Sequence, residues 1–182
     1  MNANMRTMTL PKAVVFGLLY GTLLVGLMAL PFHLMHGLES IQQITKFFKF
    51  WIFVPSVVIG ILVHEGIHGL TWAWAGKIPL HRIKYGFKLK TLTPYAHCQV
   101  PIDIRAYRTG VIMPFLIMGM APYILSLVAE DHHLLGFGLF FSFGAIGDLI
   151  ILWITRTIPS GTYVQDHATQ AGVTIVDQQA SS

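Results

Sequence analysis

Acidic side chains are scarce in this chain. Only eight Asp and Glu occur in 182 residues, and charged residues of both signs make up 11%, against about a quarter in an ordinary soluble domain. That excludes the usual charged surface of a water-soluble protein. A single cysteine, Cys98, excludes an internal disulfide and a cysteine-rich zinc module. Internal repeats and low-complexity blocks are lacking. The first apolar run has no small-residue cleavage site after it and exceeds a signal-peptide core in length, so it reads as a retained span.

What is present is apolar. Hydrophobic residues reach 54% and the mean hydropathy is +0.62. Four runs meet the ~20-residue criterion for a transmembrane helix: 13–35, 51–75, 109–129 and 134–155. Pro31 lies near the end of the first, and Pro114 and Pro122 predict kinks in the third. The only charges inside these runs are Glu65 and Asp148. Seven of the twelve Lys and Arg fall between Lys77 and Arg108. Beside apolar spans, that cluster reads as a cytoplasmic loop near anionic lipid rather than a nucleic-acid surface. The loop Glu130-Asp131-His132-His133 then lies outside, and both termini lie in the cytoplasm. Lys46 and Lys49 fall on the outer side under this scheme, and 39–50 suggests an interfacial helix. The expected class is an all-α integral membrane protein of a prokaryotic plasma membrane, with about four spans.

The basic loop has internal order. Residues 82–90 alternate basic and apolar apart from Gly86, the pattern of a strand with one greasy and one basic face. Residues 91–94 read as a turn, and 95–102 as a returning strand ended by Pro101. A small membrane-surface β-hairpin over about 82–102 is therefore expected between the second and third helices. Residues 1–158 form the expected membrane domain. Residues 159–182 form a polar cytoplasmic tail with one strand near 172–176 and a disordered end at 178–182.

The chemistry concentrates at His64-Glu65-Gly66-Ile67-His68. Two imidazoles four residues apart share one helix face, with a carboxylate beside them, the arrangement of a zinc site with a general base. Ionisable groups inside a span are costly and mark function. A catalytic zinc takes three protein ligands. Asp148 is the candidate third: it lies 14 residues after Leu134, as His64 lies 13 after Trp51, so both sit roughly 20 Å below the outer face. Gly144 and Gly147 would let that helix approach closely. His97 and Cys98 read as loop packing or substrate contact rather than ligands. His132 and His133 read as solvated, His33, His36 and His81 as interfacial, and His167 as a hydrogen bonder in the tail. Trp51, Trp72 and Trp74 read as interface anchors.

These motifs carry a resemblance. His64-Glu65-Gly66-Ile67-His68-Gly69, Lys84-Tyr85-Gly86-Phe87 and Ala96-His97-Cys98-Gln99-Val100-Pro101 are joined by Ala121-Pro122, Gly144-Ala145-Ile146-Gly147-Asp148 and Gln165-Asp166-His167. Together they resemble small four-span bacterial zincin-like membrane peptidases, which are related to site-2 protease-type intramembrane metalloproteases. Asp148 is followed by Leu149, where site-2 proteases carry Gly. The resemblance implies Zn2+ held by His64, His68 and Asp148, Glu65 as catalytic acid/base, and membrane-embedded peptides as substrates. Cleavage would occur in a water-accessible cavity between the second, third and fourth helices, with the strand at 82–90 pairing with the unwound substrate. Two other classes fit parts of the pattern: a non-hydrolytic metal- or haem-binding membrane protein, and a pseudoprotease scaffold. A binding-only site has no need of Glu65.

Overall fold

The computed structural model describes residues 5–88, 93–167 and 170–176. Strand β1 (Met5–Met8) leads into helix α1 (Leu10–Gln42). A short 3-10 turn, Gln43–Lys46, precedes α2 (Phe50–Ala75). Strands β2 (Ile83–Lys88), β3 (Thr93–Cys98) and β4 (Ile102–Asp103) follow. Helix α3 (Ile104–Pro114) continues through a π-helical turn, Phe115–Met120, into α4 (Ala121–Ala129). The chain ends with α5 (His132–Gly144), α6 (Ile146–Thr155), β5 (Tyr163–Asp166) and β6 (Ala171–Val176).

Three helical runs are long and apolar enough to cross a membrane: Leu10–Lys46, Phe50–Ala75 and Ile104–Ala129. Where the fourth span was expected, the structure has two shorter apolar helices rather than one continuous helix. α5 and α6 meet at Ala145 with a 43° bend, where Gly144 and Gly147 flank the break and weaken helix continuity. The first run passes the predicted end at Met35, and Gly37 interrupts it with φ 83°, ψ 172°. That conformation is open to glycine and strained for other residues. The predicted interfacial helix at 39–50 is instead the end of α1, the 3-10 turn and the start of α2. The third run starts at Ile104, five residues early, because Asp103 caps it by accepting from Arg105 N at 2.8 Å. The π-turn follows Pro114 directly, where the proline cannot donate to the helical ladder.

The chain divides into two compact units. The first comprises Met1–Val14, Glu65–Met113 and Gly147–Ser182. It holds a four-stranded antiparallel sheet in the order β1-β6-β5-β4 and the hairpin β2-β3. Its core is Trp72, Ile83, Cys98, Ile102, Ile104, Tyr107, Val111, Ile158, Val164 and Val173. The tail thus supplies two strands rather than one, and Met5–Met8 pairs with β6. That pairing joins opposite ends of the sequence, so no local pattern announces it. The hairpin lies where it was expected, but β3 starts at Thr93, inside the predicted turn, and stops at Cys98 rather than running on to 102. Leu89 and Lys90, residues 91–92 of the predicted turn, and 178–182 lie outside the described residues.

The second unit comprises Val15–His64 and Pro114–Ile146. Rings pack against glycines in it. A Cβ on Gly60 would lie 2.0 Å from the Phe141 ring, and one on Gly138 2.8 Å from the Tyr123 backbone nitrogen. The close approach expected at Gly144 and Gly147 is not there: a Cβ at either position meets nothing within 4 Å. The small residues that admit a neighbour are Gly21 of α1, Gly60 of α2, Gly119 of the π-turn and Gly136 and Gly138 of α5, not those at the bend.

Candidate metal and proton-transfer site

Helix α2 carries His64, Glu65 and His68 within little more than one turn. At 100° per residue, His64 and His68 are 40° apart around the axis, so one face presents both rings. Asp148 lies in the first turn of α6. The structure brings one ligand atom from each of His64, His68 and Asp148 within 4.8 Å of one another. His68 Nε2 and Asp148 Oδ1 are 3.5 Å apart. His68 is buried at 6% exposure, and His64, Glu65 and Asp148 are half-buried.

The tautomer of His68 follows from its partner. Its Nδ1 lies 2.9 Å from Gly110 O, and a carbonyl only accepts, so Nδ1 carries hydrogen and donates. In the neutral ring, Nε2 then aims a lone pair at the Asp148 carboxylate. Two electron-pair donors facing each other need a proton or cation between them. Two imidazole nitrogens and one carboxylate oxygen are a catalytic zinc donor set, and the His68–Gly110 bond is the outer-shell bond such a ligand usually makes. The residues fit zinc.

Glu65 points to the hairpin. Its Oε2 accepts from Ala96 N at 2.6 Å. The β2–β3 register pairs Lys84 with His97, Tyr85 with Ala96 and Gly86 with Tyr95. Gln99 N donates to Arg82 O at 2.9 Å. Bonded pairs alternate in an antiparallel ladder. The amides of His97 and Tyr95 therefore face β2, and that of Ala96 turns outward to Glu65. Pro94 sits at another outward position, where its missing N–H costs nothing. On β2, desolvation and then the Glu65 charge push the Tyr85 phenol above its ordinary value. It stays a neutral hydroxyl at neutral pH.

The other expected residues divide. Cys98 is buried, its thiol raised mainly by burial, and its Sγ–H donates to Val100 O at 3.2 Å. His97 Nδ1 meets Asp166 Oδ2 at 3.2 Å. His167 Nδ1 accepts from Gln170 N at 3.1 Å, the tail bond expected of it. His132 and His133 are half-buried rather than solvated, because they open α5 behind the capping Asp131. Trp51 and Trp74 are exposed at 82% and 76%. Trp72 is no surface anchor: it is 4% exposed and stacks on His68 with ring centroids 5.4 Å apart. It also stacks on Tyr107 at 5.7 Å and donates from Nε1 to Tyr107 O at 3.0 Å. Trp72, Gly110, Tyr107 and Ala96 all support the site, a role expected from sequence for none of them. For Trp72 the signal was available: 64, 68 and 72 form one stripe at a spacing of four.

Comparison with known proteins gives two matches. Residues 57–163, more than half of the chain, match a family model described as "Putative zincin peptidase". Over 118 residues the chain is 28% identical to an "Uncharacterized 24.7 kDa protein in gap 5'region" of Pyrococcus woesei, covering 64% of this chain and 51% of that protein. The chain thus spans about half the length of the curated relative it matches. No solved structure matches.

Proposed function

The chain belongs to this family of zincin-like peptidases, and from that premise we propose that it is an intramembrane zinc endopeptidase acting on membrane-embedded peptides. The observation that carries the reading is the convergence of His64, His68 and Asp148 to within 4.8 Å, with Glu65 next in sequence to one of them. Zinc bound there would supply a Lewis acid for the scissile carbonyl and lower the pKa of water. Glu65 would take a proton from the attacking water at a carboxylate oxygen and deliver it to the departing amine nitrogen. His68 would be held in its ligating tautomer by Gly110 O and kept from rotating by the Trp72 ring.

Substrate would meet β3. The hairpin has only two strands among the described residues, and the outer edge of β3 runs beside Glu65. An extended peptide laid along that edge would place its carbonyls near the base by strand addition. The strand expected from sequence to do this was β2; the Glu65–Ala96 bond favours its partner. The membrane setting is supported by the exposed apolar faces of the helices. In the apolar 18-residue stretch of the first long run only 17% of the residues are buried, and in that of the second only 6%. In water such surface drives aggregation. A plasma membrane with both termini on the cytoplasmic side fits the basic loop and the pairing of β1 with β6, which keeps the two ends of the chain together.

The test pairs two proteins in detergent, wild type and Glu65→Gln. Wild type should carry zinc and cut a hydrophobic reporter peptide. The variant should keep the metal and lose about 10²–10⁴-fold in rate. Zinc in both with cleavage by neither would favour a binding-only protein, and a wild type that takes up no zinc would end the reading.

A further inference from the structure

Asp166 stands outside the segment matched by the family, which ends at residue 163, yet it closes a ring of contacts around the site. Its Oδ1 accepts from the Tyr107 hydroxyl at 2.7 Å. Its Oδ2 accepts from His97 Nδ1 at 3.2 Å. Tyr107 is 2% exposed and leads through Trp72 to His68. His97 is the next residue after Ala96, whose amide holds Glu65. Starting at Asp166, one arm reaches a candidate ligand and the other reaches the candidate base.

We propose that Asp166 is a positioning residue for Glu65: it fixes β3 so that the Ala96 amide aims the carboxylate. This deepens the peptidase reading and rests on it. The geometry makes the argument. His97 and Ala96 point their side chains to opposite faces of β3. Anchoring the His97 ring therefore sets the rotation of the strand about its axis, and that rotation aims the outward amide of Ala96. A two-stranded hairpin is marginal alone and takes its pose from what it packs on. Asp166 belongs to β5 of the four-stranded sheet, so it ties the hairpin to the sheet, and through Tyr107 to α3. Next to it, Gln165 Nε2 donates to Gln99 O at 3.4 Å, a longer second tie in the same place.

The experiment is amide hydrogen exchange on the full chain in detergent micelles, with zinc content measured on the same samples. Asp166→Ala removes both arms. Exchange at Ala96 should rise about 10-fold or more while the α2 amides keep their wild-type rates. Asp166→Asn is the conservative control. Its Oδ1 still accepts from Tyr107 and its amide can donate to His97 Nδ1 in the other ring tautomer, so Ala96 should stay within about 3-fold of wild type. Zinc content should stay at the wild-type level in both variants. On a reporter peptide that wild type cuts, Asp166→Ala should lower kcat about 10²-fold with KM little changed. If Asp166→Ala does not fold, His97→Ala, which cuts only the hairpin arm, must give the same local change at Ala96. Unchanged exchange at Ala96, or acceleration spread evenly over all amides, overturns the proposal. A wild type that cuts no peptide would end the peptidase reading, and the exchange result would still decide whether Asp166 sets the hairpin.

Discussion

The two units hold themselves together in different ways. The first, with Glu65, His68 and Asp148, mixes an apolar cluster with directional bonds: His68 to Gly110, Trp72 to Tyr107, Tyr107 to Asp166, Glu65 to Ala96. The second relies on shape. Phe47 forms edge contacts with Phe53 and Phe137, and Phe141 fills the groove that Gly60 leaves. The reason is backbone availability. Continuous helices satisfy their own amides and carbonyls, which leaves little to aim a side chain with. Strand edges and helix ends offer free groups, and a site that must orient a carboxylate is built where they are.

That contrast can be broken by one substitution in each unit. Trp72→Ala should give the larger effect: about 4 kcal/mol of stability from the lost ring, and a zinc affinity lower by about 10-fold because His68 loses its stacking partner. Phe141→Ala should cost about 3 kcal/mol and leave zinc affinity within about 2-fold, as its ring packs on Phe137, Phe140 and Gly60, which are not ligands. Unfolding in denaturant and zinc competition with a chelator measure both. A zinc effect from Phe141→Ala equal to that from Trp72→Ala would erase the distinction.

Glycine substitutions sharpen it further. Gly60→Ala drives a methyl into the Phe141 ring and should cost about 1–3 kcal/mol by overpacking. Gly144→Ala meets nothing within 4 Å and should be neutral or stabilising by up to about 1 kcal/mol. Unfolding midpoints in one detergent rank the two.

Much of this was legible in the sequence, for physical reasons that also explain the gaps. Apolar runs of about twenty residues announce spans because a bilayer demands them. His64 and His68 are legible because helix spacing alone makes them neighbours. Asp148 drew notice because acids are so few that one inside an apolar run stands out, and the structure sets it 3.5 Å from His68. The bend at Ala145 was missed because its glycines were read as packing residues. Trp72 was missed because tryptophan near the end of a span ordinarily marks an interface. Asp166 was placed in a motif without a role, since its two partners lie 69 and 59 residues away. Strand β1 was missed for the same cause: its register is with Ala171–Thr174, and only folding brings those residues together.

The smallest expected effect lies at the start of α5, in the second unit, where Asp131 caps the helix. Asp131 accepts from His133 N at 2.7 Å and Leu134 N at 3.0 Å. Those backbone bonds hold its carboxyl below the ordinary value. A carboxyl depressed on folding stabilises the folded state above its unfolded pKa of about 3.9, and that contribution fades as pH falls through the lower folded value. Asp131→Ala should therefore cost about 1 kcal/mol at neutral pH, and the gap from wild type should narrow as pH drops below about 4. Asp131→Asn separates charge from geometry. Its side-chain oxygen still caps, so it should keep most of the stability and lose the acid dependence. Zinc affinity should not move in either variant, because the bonds of the cap go to His133 and Leu134, which are not ligands. Stability measured from pH 3 to 7 in detergent decides it: a gap that stays constant over that range would mean Asp131 acts by packing rather than as a charged cap.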